Sequence, residues 1–128
     1  SSDVCSSDLM DIALEHGPDP QTTLTKAFIN AGHDLDMNQT DLGNIIGKNQ
    51  SSISRGKISP QSKEGEIALL FIRCYRSLFA LNNGDKELMQ HWWKTNNLHT
   101  RGVPAEQALT VTGLAAITEY LDAIRGKI

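Results

Sequence analysis

The side chains best suited to chemistry lie between residues 47 and 63, and that chemistry is hydrogen bonding to a polyanion rather than bond breaking. Over this stretch the charged groups are Lys48, Arg55, Lys57 and Lys63, all cationic. Between them stand Asn49, Gln50, Ser51, Ser52 and Ser54, short donors and acceptors. A glutamine can pair bidentately with adenine and an arginine with guanine, while a lysine takes a phosphate as a point charge. Arg55 is open to three roles, on a base, on a phosphate or on the protein's own backbone. Catalysis finds less support. The carboxylate pairs Asp34/Asp36 and Glu64/Glu66 are expected at helix edges and first turns, where the helix dipole favours acids. No nucleophile–base pair or phosphate-cradling glycine loop accompanies them, so no catalytic residue is assigned. The four histidines lack ligand spacing, and neither a metal site nor a cofactor is expected.

Two short helices joined by a tight turn would position these groups. Leu42, Ile45 and Ile46 repeat at helical spacing and give the first helix one apolar face. Gln39 and Thr40 open it, where free backbone amides suit a phosphate. Gly47 ends it, because glycine takes the left-handed conformation that a helix C-terminus needs. Asn49 is an N-cap for the second helix, which has Ile53 as its single apolar anchor and a polar to basic outer face. Such a helix fits the DNA major groove. Residues 38–55 resemble the helix-turn-helix of Xre-type (Cro/repressor-like) regulators, which carry Leu, a small residue, Gly and then Gln-x-x-Ile-Ser-Arg at this spacing. Lys48 stands where an aliphatic residue is commoner; its stem can lie on the core while its ammonium reaches a phosphate.

The whole chain is acidic, with a net charge of −3 over 128 residues. A local basic stripe on an acidic protein favours site-selective DNA binding over general coating. Neither a membrane-spanning run nor a charged-then-apolar leader is read, and a cytoplasmic location is expected. Of the two cysteines, Cys74 falls on an apolar helix and is expected as a buried thiol, in keeping with a reducing compartment. Residues 1–9 repeat Ser-Ser-Asp without a periodic face. They read as a translated sequencing adapter rather than native coding sequence, or else as a solvated polar tail, and either way lie outside the fold. Gly17-Pro-Asp-Pro20 breaks the short helix that residues 10–16 could make, so residues 1–19 are set aside as a tail.

Along the rest of the chain only helices are expected. Residues 22–31 carry Leu24, Ala27, Phe28 and Ala31 on one face, with Gly32 as the C-cap. Residues 58–60 close the first module. A long helix opens at Ser62 and runs to about Leu81; its Ile67, Phe71, Cys74, Leu78 and Leu81 form a heptad seam. Further apolar residues on other sides admit two readings, a central helix enclosed by its own chain or an interface with a second copy. Asn83 or Asp85 caps the next helix, residues 86–93, loaded with Leu88, Met89, Trp92 and Trp93. One tryptophan is expected in the core and the other at a surface. A polar loop, 95–103, leads to Pro104 and a short helix over 105–109. Thr110 or Thr112 caps the last helix, lined by Leu114, Ile117, Tyr120, Leu121, Ile124 and Ile128.

The segment 62–78, followed by Trp92, Asn97, residues 102–104, Gly113-Leu114 and residues 120–128, is similar to the toxin-binding domain of the Xre/MbcA/ParS antitoxins. Thr112 departs from the acidic residue that many members have before the glycine. The resemblance implies an all-α protein in which an N-terminal helix-turn-helix module, residues 20–60, packs on a C-terminal helical domain for toxin binding and dimerisation, residues 61–128. It implies a homodimer without catalytic activity that covers the active site of a RES-domain toxin, a class consuming cellular NAD, and represses its own operon by binding operator DNA. Residues expected at the toxin are Trp92, Arg101, Gly102, Tyr120, Arg125, Lys127 and Ile128. The competing reading is a stand-alone repressor whose helical C-terminal part dimerises or binds a small effector.

Overall fold

Leu24, Phe28, Ala31 and Leu35 recur at spacings of four and three, and all four are buried. They set the inward face of α1 (Pro20–Asp34) in a computed structural model that describes residues 20–47 and 58–126. Gly32 is not the expected cap, since the helix continues past it. A β-carbon there would lie 2.5 Å from a methyl of Leu42, so the glycine serves close packing between helices. The left-handed turn falls instead on Asp36, at φ 60, a residue type that tolerates it. The Met37 N–H then donates to the Gly32 carbonyl at 2.8 Å and the Asp36 N–H to that of His33 at 3.0 Å, which completes a Schellman motif.

α2 (Gln39–Ile46) starts at Asn38, whose side-chain oxygen accepts from the Asp41 N–H at 2.8 Å. The Asp41 carboxylate answers more loosely, at 3.4 Å from the Asn38 N–H, forming a capping box. Leu42, Ile45 and Ile46 are buried. Gly47 ends the helix at φ 75, as its position predicted.

α3 (Lys63–Leu81) is the central element, with Ser62 capping it by accepting from the Gly65 N–H at 3.0 Å. Phe71, Cys74 and Leu78 of the predicted seam are fully enclosed, while Ile67 and Leu81 are partly so. The seam therefore belongs to the chain's own core and is not an open face. α3 packs against α1, α2, α4 (Lys86–Lys94) and α6 (Val111–Gly126). Asp85 caps α4, its carboxylate accepting from the Glu87 and Leu88 amides at 3.0 and 3.2 Å. Trp93 is buried and Trp92 half-buried, the division expected. Leu88 departs from expectation and is exposed, because the inward face of α4 is already filled by Met89 and Trp93.

α5 (Pro104–Gln107) begins on Pro104 and is a residue or two shorter than predicted, leaving Leu109 exposed. Thr110 caps α6, its hydroxyl accepting from the Gly113 N–H at 3.1 Å. Leu114, Ile117 and Leu121 seal α6 onto α3. Among the described residues no strand forms; an isolated antiparallel bridge links Asn97 and Gly102.

An edge-to-face chain of rings crosses this core. Phe28 of α1 meets Phe71 of α3 at 5.3 Å, and Phe71 meets Trp93 of α4 at 5.8 Å. Such contacts each add about 0.5–1.5 kcal/mol beyond burial. A polar clasp runs beside them. Asp34 and Asp36 lie at the C-terminal end of α1, where the dipole opposes a carboxylate, contrary to the favourable placement expected. Their partners offset this. Asp34 accepts from the Tyr75 hydroxyl and pairs with Lys86 at 3.3 Å, and Asp36 pairs with Lys94 at 2.6 Å. Lys94 also holds the Asp36 carboxyl below its usual range. Glu64 and Glu66 do occupy the first turn of α3.

Replacing Phe71 with Ala removes both ring contacts and should destabilise the chain by about 3–5 kcal/mol in urea unfolding. Burial first, and then the Asp34 carboxylate, push the Tyr75 phenol from 10.0 up to about 12. A raised folded value leaves its contribution intact below the unfolded value and removes it as pH rises through the folded one. Stability should therefore decline between about pH 10 and 12 more steeply in the native chain than in Tyr75→Phe, measured by urea midpoints.

Candidate functional site

The helix-turn-helix predicted over residues 38–55 is described on either side of residues 48–57. On one side, α2 and the left-handed Gly47 fix the direction in which the chain leaves. On the other, Ile58 is buried and its N–H donates to the Thr25 hydroxyl at 3.2 Å. That hydroxyl in turn donates to the Gln21 carbonyl at 2.6 Å. Ile58 is thus tied to α1. Gln39 and Thr40 fall in the first turn of α2, Gln39 half-buried and Thr40 exposed. Lys48, Asn49, Gln50, Ser51, Ser52, Ser54, Arg55 and Lys57 lie outside the described residues.

The other half presents two surfaces. The first gathers four of the residues predicted to meet a partner. Trp92 lines a cavity of about 340 Å³ with His91 and residues 95–99. The loop above it is closed by the Asn97–Gly102 bridge, with N–H to carbonyl distances of 2.9 and 3.2 Å. Arg101 takes a left-handed conformation at φ 63 so that Gly102 can return to Asn97. His99 stacks on Tyr120, 5.5 Å between centroids and 15° from parallel. Trp92, Arg101, Gly102 and Tyr120 therefore frame one surface, and sequence reasoning missed the two loop residues that join them, Leu98 and His99. An unmatched leucine within a polar loop was the available signal.

Arg125 does not join this group. Five residues separate it from Tyr120 on α6, which rotates it by about 140°. It lines a groove of about 1010 Å³ with Arg73, Arg76 and Asp122, over an apolar floor that includes Leu24 and Ile72. Arg73 pairs with Asp122 at 2.6 Å, and Asp122 also accepts from the Ser77 hydroxyl at 2.7 Å. Lys127 and Ile128 lie outside the described residues. Behind this wall Cys74 is sealed in, and burial raises its thiol to about 12, so it stays protonated and unreactive. Among the described residues no group of His, Cys, Asp and Glu can hold a metal ion, and no helix is long and apolar enough to cross a membrane.

An all-helical chain with a helix-turn-helix frame and a second helical surface is a DNA-binding protein with a partner-binding half. The family comparisons agree. A model described as the antitoxin Xre-like helix-turn-helix domain matches residues 15–73. One described as the antitoxin Xre/MbcA/ParS C-terminal toxin-binding domain matches residues 77–127. The chain belongs to the Xre/MbcA/ParS antitoxins, and its two halves serve DNA and toxin. No curated protein matches it at a significant level. The junction between the matched families falls inside α3, whose buried residues serve both sides.

The Thr25 tether can be tested directly. Thr25→Val keeps the shape but leaves the buried Ile58 N–H without its acceptor, a loss of about 1–3 kcal/mol. Hydrogen exchange at Ile58 should speed up by more than at amides of α6.

Proposed function

We propose that this antitoxin neutralises a RES-domain toxin, which consumes NAD, by covering its active site, and that it represses its own operon. The observation that carries the reading is the pairing of both matched halves in one chain, together with the resemblance of residues 62–78 and 120–128 to antitoxins of that class. The antitoxin needs no chemistry of its own for this task, since occlusion is a binding event, and it requires no cofactor. It would act where its operator is, in the cytoplasm.

Residues 20–60 would do the DNA work. Lys48, Lys57 and the first turn of α2 at Gln39 and Thr40 would meet phosphates. Gln50, Ser51, Ser52 and Arg55 would face bases, with Asn49 and Ser54 at the helix edge. Residues 61–128 would do the toxin work, with Trp92, Arg101, Gly102 and Tyr120 on one side and Arg125, Lys127 and Ile128 on another. A guanidinium suits an anion-recognising site, so Arg125 can stand in for a contact to the cofactor's phosphates or pair with a toxin carboxylate. A homodimer would place two recognition helices on a two-fold operator. Because the α3 seam is filled from within, such a dimer has to use outward residues such as Leu69 and Phe79.

Coexpression with the neighbouring toxin gene should yield a stable complex and preserve cellular NAD. Arg125→Ala, or loss of residues 126–128, should leave folding and operator binding intact while NAD falls; unchanged protection would move the neutralising contact to the Trp92 surface. In gel shifts, Gln50→Ala should relax sequence preference, whereas Lys48→Ala should weaken all sequences and lower the salt slope by about one. Operator affinity unaltered by replacing Lys48, Gln50 and Arg55 together would overturn the DNA assignment.

A further inference from the structure

Leu98 is 93% exposed, against 53% for Leu88 and 54% for Val111, the next most exposed large apolar side chains among the described residues. A single exposed leucine is ordinary on a protein surface. This one is held out by a loop that is fixed from several sides. The Asn97 side chain accepts from the His99 N–H at 2.8 Å, and the Thr100 hydroxyl donates to the Gly102 carbonyl at 3.3 Å. The Gln107 amide donates to the Thr100 carbonyl, and His99 is stacked on Tyr120. Arg101 accepts a left-handed backbone at φ 63, which non-glycine residues adopt only where the surroundings hold them there. None of these contacts shelters Leu98. It lines the Trp92 cavity, and the exposed Leu88 lies one turn before Trp92 on α4.

We propose that Leu98 is the apolar anchor of the toxin interface, seated in a dent on the toxin with Trp92 and Leu88 flanking it. The proposal rests on the reading of residues 77–127 as toxin-binding. The loop is rigid before binding, so little side-chain and backbone freedom is lost when it docks. Its surroundings select the partner's chemistry. Residues 88–105 contain no carboxylate; Lys94 is already paired with Asp36, and the loop itself contributes the guanidinium of Arg101. The matching toxin surface is therefore apolar at its centre with acidic or carbonyl acceptors at the rim. A second copy docking through the same patch would bring one Arg101 towards the other with no carboxylate of residues 88–105 between them, which disfavours it.

The test uses the full chain and the toxin encoded beside it, titrated by calorimetry. Leu98→Asp should weaken binding by at least about 30-fold, the scale of an interface hot spot, and Leu98→Met should retain it. Thermal unfolding and operator binding should not change, since Leu98 buries nothing in the fold. Full affinity of Leu98→Asp for a toxin that the native chain binds would overturn the anchor and leave the toxin reading standing. A native chain that fails to bind that toxin would overturn both. Loss of self-association in Leu98→Asp, seen by sedimentation with toxin affinity unaltered, would reassign the patch to a second copy.

Discussion

The contact on which most else depends is the Phe71 ring, gripped edge-on between Phe28 and Trp93. It joins the DNA-binding half to the toxin-binding half within one core, because α3 has no side left over for a core of its own. Buried residues from Leu24 to Leu121 form one cluster. Around it the polar clasp at the end of α1 does for orientation what the rings do for cohesion. Tyr75, Lys86 and Lys94 converge on Asp34 and Asp36 from two different helices, so α4 cannot slide along α1 without leaving a carboxylate unpaired.

Much of this was legible in the residues. Helix periodicity found the longer helices, since apolar residues at spacings of three and four leave few alternatives, while Pro104 marked the short α5. Local chemistry marked the Gly47 cap, and narrowed two others to Asn83 or Asp85 and to Thr110 or Thr112, of which Asp85 and Thr110 serve. Gly32 shows the limit. A glycine after an apolar run signals a C-cap, but the same residue is equally demanded where two helices touch, and only the arrival of Leu42 decides between them. The heptad seam of α3 was correctly found, yet whether it faces its own chain or another depends on α6, whose docking no local pattern encodes.

The candidate surfaces were legible unevenly. Trp92 and Tyr120 stand out by type, but that one loop joins them was not legible. Arg125 was grouped with them through the resemblance of residues 120–128 and its place at the end of the last helix, and the helical rotation from Tyr120 places it in a different groove with Arg73 and Arg76. Leu98 left one faint signal, an unmatched leucine in a polar loop. Its isolation within a polar loop gave no period to read, and its meaning comes from hydrogen bonds that hold the loop shut behind it.

The position of α3 also bears on how such chains can be recombined. The two matched families meet at residues 74–76, within the same turn that buries Cys74. A gene fusion made there would join two half-helices whose inward faces were shaped against different neighbours. Swapping one toxin specificity for another therefore requires the incoming half to bring an α6 that fits the resident Phe71 and Leu78, or to carry its own α3 and find a new seat against Phe28. Diversification of such a protein is easier at the rims, in the loop and the groove, than by exchange of whole halves.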